Sequence, residues 1–191
     1  PALTALELMK MRDPSVFSRE REVLSRQIKH MSRLVDDLLD LSRLAKGKVQ
    51  LRQQRFELRE AIDRAVDMAG PLFAQQQHTF EVSAPTTGLA IDGDLDRIVQ
   101  VLSNLLTNAA RYTPTGGRVS LSASAADDHA EIVCEDNGPG IPPALIPTLF
   151  DPFAQGPRTL DRREGGLGLG LALARTFVEL HAGTIHVEAP A

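Results

Sequence analysis

The sequence has one cysteine, no apolar run long enough to cross a bilayer, and no excess of basic charge. A lone cysteine excludes an internal disulfide, and a reducing compartment fits it. Cys134 lies in the apolar run Ile132-Val133-Cys134 with no His, Lys or Arg beside it, so it reads as a buried structural thiol rather than a reactive one. No stretch approaches the roughly 18 apolar residues of a membrane span, and Pro1 opens the chain without a charged-then-apolar leader. A soluble, cytoplasmic piece without membrane contact is expected, whatever attachment a longer parent has. A net charge of −4 argues against a nucleic-acid partner, which would want a basic face.

What is present is enough for one good core and an appendage: 191 residues, 42% of them hydrophobic. The chain divides near Gly47. Between Phe17 and Ala45 there is no Pro or Gly, and Leu24, Ile28, Met31, Val35 and Leu38 step by four and three, the seam of a helix packed on another helix. Leu34 and Leu41 widen that stripe, which favours a four-helix arrangement over a two-stranded seam. Ala2 to Arg12 reads as the end of a shorter helix, broken at Asp13-Pro14. Such a hairpin cannot cover its own apolar face, so it should pair with a second copy or another domain, and a homodimer is expected.

Beyond Gly47, strands and helices alternate. Val49 to Phe56 alternates as a half-buried strand, and Leu58 to Ala69 has a helical apolar stripe. Thr79 to Val82 and Leu89 to Ile91 are short strands, and Asp94 is placed to cap a helix with Leu95, Ile98, Val99, Leu102, Leu105 and Leu106 on its apolar face. Arg118 to Ser124 and Ala130 to Glu135 are strands around the turn Asp127-Asp128. A Gly- and Pro-rich stretch from Asn137 to Gly170 follows, then a helix from Leu171 to His181 and a last strand from Thr184 to Glu188. The expected architecture is α+β, a two-layer α/β sandwich preceded by an antiparallel helical hairpin.

Four clusters have chemical potential. In the first, Asn104, Asn108 and Arg111 share one side of a helix, with Tyr112 next. An amide oxygen suits Mg²⁺ and a guanidinium suits phosphate, though a solvated polar helix face would look the same. The second, Asp136-Asn-Gly138-Pro-Gly140-Ile141, follows a strand: its carboxylate can accept from an exocyclic amine and its glycines admit a flat ring, but alone it is an ordinary turn. The third places Phe150 and Phe153 on either side of Asp151-Pro152, with core packing the default for both rings. The fourth, Gly165-Gly166-Leu167-Gly168-Leu169-Gly170-Leu171, opens a helix, where glycine backbone and helix dipole suit an anion. It is not a Walker loop, because no Lys-Ser or Lys-Thr follows, nor does a strand lead directly into it as in a dinucleotide-binding fingerprint.

The order and separations of these clusters resemble the N, G1, F and G2 boxes of bacterial sensor histidine kinases, which share an ATPase superfamily with DNA gyrase, MutL and the heat-shock chaperones. Leu34-Val-Asp-Asp-Leu-Leu-Asp-Leu-Ser42 also resembles the second hairpin helix of that family, so the likeness covers nearly the whole chain. It implies a partial dimerisation and phosphoacceptor hairpin over 1–46 and a catalytic ATP-binding domain over 47–191. By the same resemblance, Asn108 would ligate Mg²⁺, Asn104 and Arg111 would lie beside the phosphates of ATP, and Tyr112 would border the nucleotide. Asp136 would read the adenine amine with Gly138, Gly140 and Ile141 beside it. Phe150 and Phe153 would form the F box, and Gly166, Leu167, Gly168, Leu169, Gly170 and Leu171 would line the triphosphate below a lid over 154–165 that carries Arg158, Arg162 and Arg163.

The implied activity is transfer of the ATP γ-phosphoryl group to a histidine, for relay to an aspartate of a response-regulator receiver domain docked on the hairpin. The accepting histidine is expected just upstream of Pro1, so this piece alone should not autophosphorylate. The five histidines present, His30, His78, His129, His181 and His186, read as structural or surface residues. Gyrase-like relatives place a glutamate base where this chain has Asn104, which cannot take a proton from water, so a hydrolytic ATPase is disfavoured. Arg111 stands where Lys is commoner, and Leu167 where many relatives have Thr or Ser. The competing reading is a degenerate kinase acting as a dimeric protein-interaction module. A hybrid parent, with a receiver domain fused to it, is a further arrangement that the resemblance admits.

Overall fold

The computed structural model describes residues 18–45, 49–154 and 167–188. Two compact units divide between Val49 and Gln50. In the first, helix α1 (Ser18–Ala45) runs unbroken for 28 residues, as the absence of Pro and Gly dictates. Along it Leu24, Met31, Val35 and Leu38, four members of the seam read from the sequence, are exposed. The expected first arm of the hairpin, Ala2 to Arg12, lies outside the described residues.

The second unit contains β1 (Gln54–Glu57), α2 (Leu58–Gln75), β2 (Thr79–Ser83), β3 (Ala90–Gly93), α3 (Leu95–Tyr112), β4 (Arg118–Ala126), β5 (His129–Asp136), a 3₁₀ turn (Ile146–Thr148) and α4 (Gly170–Leu180). Strands β2, β4 and β5 form one sheet in that order, and β1 pairs with β3 in a second. β4 and β5 are an antiparallel hairpin from Val119↔Asp136 to Ala126↔His129. Its turn is at Asp127-Asp128, where Asp127 takes φ +48°, a left-handed conformation that aspartate tolerates better than most residues. β2 runs parallel to β4, as a connection through a helix permits.

The period-2 pattern of β4 sends Val119, Leu121 and Ala123 inward and Ser120 and Ser122 toward solvent. Against the inner face lie Leu58, Ala61, Ile62, Ala65, Ala69 and Phe73 of α2 and Leu102, Leu106, Ala109 and Ala110 of α3, forming one apolar core. Burying these side chains is the main stabilising term. The result is a two-layer α+β sandwich.

Three local expectations are corrected. α2 continues past Ala69 through Gly70 and an exposed Pro71 to Gln75. The first strand is shorter than Val49 to Phe56, starting only where β3 provides a ladder. Thr184 to Glu188 alternates like a strand but joins no sheet among the described residues. Alternation reports a face, not a partner. Cys134 is half-buried, packed against the core opposite Leu121. Burial pushes its thiol up to about 12, with Asp136 and Glu135 adding to the shift, as expected of a structural rather than a reactive cysteine.

Candidate functional site

α3 is the element around which the four clusters assemble. Asp94 caps it as expected, accepting from Arg97 N–H at 3.2 Å. With its start fixed, the apolar stripe faces the core and Asn104, Asn108 and Arg111 stay half-buried on the other side, with Tyr112 exposed at the end. Leu105, expected in the core, is only half-buried.

The glycine cluster meets this polar face directly. Asn104 Nδ2 donates to the carbonyl of Gly170 at 2.9 Å. A Cβ at Gly170 would lie 3.3 Å from Asn104 Cγ and Oδ1, so glycine permits the approach. Gly168 has φ +73°, and a Cβ there would stand 2.5 Å from the carbonyl of Ala154. It is a position that only glycine fills without strain. Phe153 N–H donates to Gly168 O at 3.0 Å, tying the third cluster to the fourth.

The Asp136 loop closes on the far end of α3. A Cβ at Gly138 would fall 3.3 Å from Tyr112 O and 3.5 Å from Thr113 Cα. Asp136 Oδ1 accepts from Gly138 N–H at 2.8 Å, which orients an otherwise exposed carboxylate. Gly140 also has positive φ, +73°. The turn after α3 is fixed from the turn that follows α2: His78 Nε2 donates to Pro114 O at 3.1 Å and Gly116 N–H to Gln76 O at 2.9 Å. The structure thus brings Gly170 to Asn104 and Gly138 to Tyr112 on one helix, with Phe153 tied to Gly168 two residues before Gly170.

Not every expected residue takes the expected place. Phe153 has φ +66° and is 58% exposed, so core packing is wrong for its ring, while Phe150 is half-buried. The side chain of Leu169 is buried in the core, leaving only its backbone toward a ligand. Leu167, Leu171 and Ile141 are half-buried. Gly166 and the lid arginines Arg158, Arg162 and Arg163 lie outside the described residues. Sequence reading missed Thr113, buried at 3% with a hydroxyl that has no hydrogen-bond partner, and Asn137, whose Oδ1 accepts from Arg118 N–H at 2.7 Å and pins the Asp136 loop to β4.

Among the described residues no three His, Cys, Asp or Glu side chains gather as a metal cage. The amide oxygen of Asn108, half-buried on α3, is a donor of the kind that suits Mg²⁺. No described helix is long and apolar enough to cross a membrane.

Residues 93–191, which contain all four clusters, match the family described as histidine kinase-, DNA gyrase B-, and HSP90-like ATPases. The chain belongs to this ATPase family. Within the family it sides with sensor kinases. It is 36% identical over 178 residues to the probable sensor histidine kinase TcrY of Mycobacterium tuberculosis, covering 92% of this chain and 36% of that protein. The histidine kinase AdeS of Acinetobacter baumannii shares its structure with a TM-score of 0.73 at 26% identity, over 100% of this chain and 89% of that one. The mycobacterial sensor kinase MprB follows with a TM-score of 0.57 and 32% identity, over 68% and 80% of the two chains. The chain spans only 11% to 36% of the first curated relatives it matches. As in the family, a nucleotide is the implied substrate.

Proposed function

We propose that this chain is the ATP-binding part of a sensor histidine kinase, which holds ATP for transfer of its γ-phosphoryl group to a histidine imidazole of the parent protein. The contact between Asn104 and the Gly170 carbonyl carries the reading. It sets the polar face of α3 against the amide-bearing start of α4, with Asp136 at the other end of α3, a spacing suited to phosphates and base respectively.

In this account the amides from Gly168 to Leu171 and the guanidinium of Arg111 hold the phosphates, Asp136 accepts from the exocyclic amine, and Tyr112 borders the ring. Asn108 would hold Mg²⁺, which supplies charge neutralisation on the phosphate oxygens. The accepting imidazole nitrogen forms a P–N bond as the bond from the γ-phosphorus to the bridging oxygen breaks and ADP leaves. The chain contributes positioning and charge rather than a general base. Asn104 supports transfer over hydrolysis, since an amide cannot deprotonate water.

The exposed seam of α1 supports a homodimer through the helical hairpin, and the parent's relay partner would be a response-regulator receiver domain. We place the fragment in the cytoplasm, with any membrane attachment in the parent outside it. Calorimetric titration of ADP, or a non-hydrolysable ATP analogue, into the chain and into Asp136→Asn tests the site, with and without Mg²⁺. Saturable binding, tighter with Mg²⁺ and weakened in the variant, is expected. No binding to the native chain would overturn the reading in favour of a dimeric interaction module.

A further inference from the structure

His181 stands at the end of α4 away from the glycines, yet its ring is engaged on both sides. Nδ1 lies 2.7 Å from the carbonyl of Phe177, which can only accept, so this nitrogen carries the proton. Nε2 is then a bare acceptor, and it receives the backbone N–H of Asp94 at 2.9 Å. Gly93 makes room for this approach, because a Cβ there would stand 2.7 Å from His181 Cδ2. Beside it the Arg97 guanidinium lies 4.7 Å from the centre of the Phe177 ring. The last turn of α4 closes with Ala182 N–H to Glu179 O at 3.0 Å and Gly183 N–H to Val178 O at 2.9 Å, the bond pattern of a Schellman cap. His181 is therefore seated in a defined backbone frame.

We infer that His181 is a positioning residue for the nucleotide site: by joining the end of α4 to the first residue of the α3 start, it sets how the glycine-bearing tip of α4 faces Asn104. The inference rests on the nucleotide reading above. α4 has 11 residues, roughly 16 Å at the helical rise. It is attached to α3 by directional bonds at both ends, Asn104 to Gly170 O at the tip and Asp94 N–H to His181 at the base. Between them Ala172, Leu173, Ala174 and Phe177 are buried. Apolar contact of this kind resists separation but is nondirectional, so it allows sliding and tilting that a hydrogen bond at each end forbids. A tilt of about 4° over that length moves an end by about 1 Å, the scale on which positioned groups lose their effect.

The charged groups on the elements meeting at His181 are already engaged. Asp94 accepts from Arg97 N–H and Arg52 N–H, Asp92 pairs with Arg55, Arg97 donates to Gln100, and Glu179 pairs with Arg175.

Two variants separate the bond from the bulk: His181→Phe keeps a ring and removes both bonds, whereas His181→Gln places an amide oxygen as many bonds from the backbone as Nε2 and can still accept from Asp94 N–H. Amide resonances of Gly168 and Gly170 in the ligand-free protein, and Mg²⁺-ADP affinity by calorimetry, are measured on all three proteins. Expected are displaced Gly168 and Gly170 resonances in the Phe variant with affinity lowered about three- to tenfold, the worth of one hydrogen bond. The Gln variant should keep both properties. Unchanged resonances and affinity in a folded Phe variant would overturn the inference. If that variant does not fold, displaced Gly168 and Gly170 resonances with lowered affinity in the Gln variant, which keeps the bond, would overturn it instead. If the native chain binds no ADP, the nucleotide reading fails, while the ligand-free resonances still decide whether His181 positions the tip of α4.

Discussion

The two helices that meet at the site begin in opposite ways. α3 starts at buried Asp94, whose carboxylate accepts from Arg97 N–H and from Arg52 N–H at 2.9 Å, and Asp96 adds a second acid to its first turn. α4 starts at Leu169, which supplies no side-chain cap, and has no acid in its first turn. α2 also lacks a side-chain cap, but Glu57 and Glu60 lie at its start, where the dipole favours them. Among the described α-helices of this unit, α4 alone meets its dipole with glycine and apolar residues only. One helix start is completed by the protein, and the other is kept neutral and open in backbone terms, as an anion site requires.

The comparison can be broken most forcefully at Gly168. Gly168→Ala should lower ADP affinity by at least about tenfold and cost about 1–3 kcal/mol of stability, through its φ of +73° and the clash with Ala154 O. Calorimetry and urea melts check both. Next is Asp136→Asn. Its carboxylate is exposed and held only through Gly138 N–H, so midpoints of unfolding should barely move, while ADP binding weakens by about 1.5–3 kcal/mol if a charged acceptor is lost. Removing the cap at the closed start has the converse signature: Asp94→Ala should cost about 1–2 kcal/mol in a urea melt. Its backbone N–H still reaches His181, so ADP affinity well below the melting range should stay within about threefold.

Smaller effects sharpen the contrast at the other end of α4. Ala182 takes φ +58° at the residue after the cap, so Ala182→Gly should raise stability by about 0.5–1 kcal/mol in thermal or urea melts, leaving ADP binding unchanged. Cys134, part of the closed core, should resist alkylation at pH 8 until the protein is unfolded. Its folded thiol holds its proton more tightly than the unfolded one. Its stabilising contribution is thus fully present below pH 9.0 and lost as pH rises toward about 12.

Much of this was legible because it is local. The seam of α1, the stripe and cap of α3, and the β4–β5 hairpin all follow from spacing and turn chemistry within a few residues. The clusters were visible as motifs, and their order gave the family resemblance that residues 93–191 bear out. What spacing could not give was juxtaposition. The contact between Asn104 and Gly170 spans 66 positions and that between Asp94 and His181 spans 87, separations over which no periodicity reports. Phe153 was misread because a hydrophobic ring is usually buried, whereas here Gly168 draws its backbone into a left-handed turn that leaves the ring outside. The end of α2 was not marked by its apolar stripe, which stops at Ala69, whereas the helix runs on through an exposed Pro71 to Gln75.

The most direct test of the account is amide chemical-shift mapping with a non-hydrolysable ATP analogue and Mg²⁺. The account predicts that Gly168, Gly170 and Leu171 at the open start of α4 shift most, together with Gly138 beside Asp136, and that Leu95 to Arg97 at the capped start of α3 move far less. Saturation with no change at Gly168 and Gly170 would contradict it.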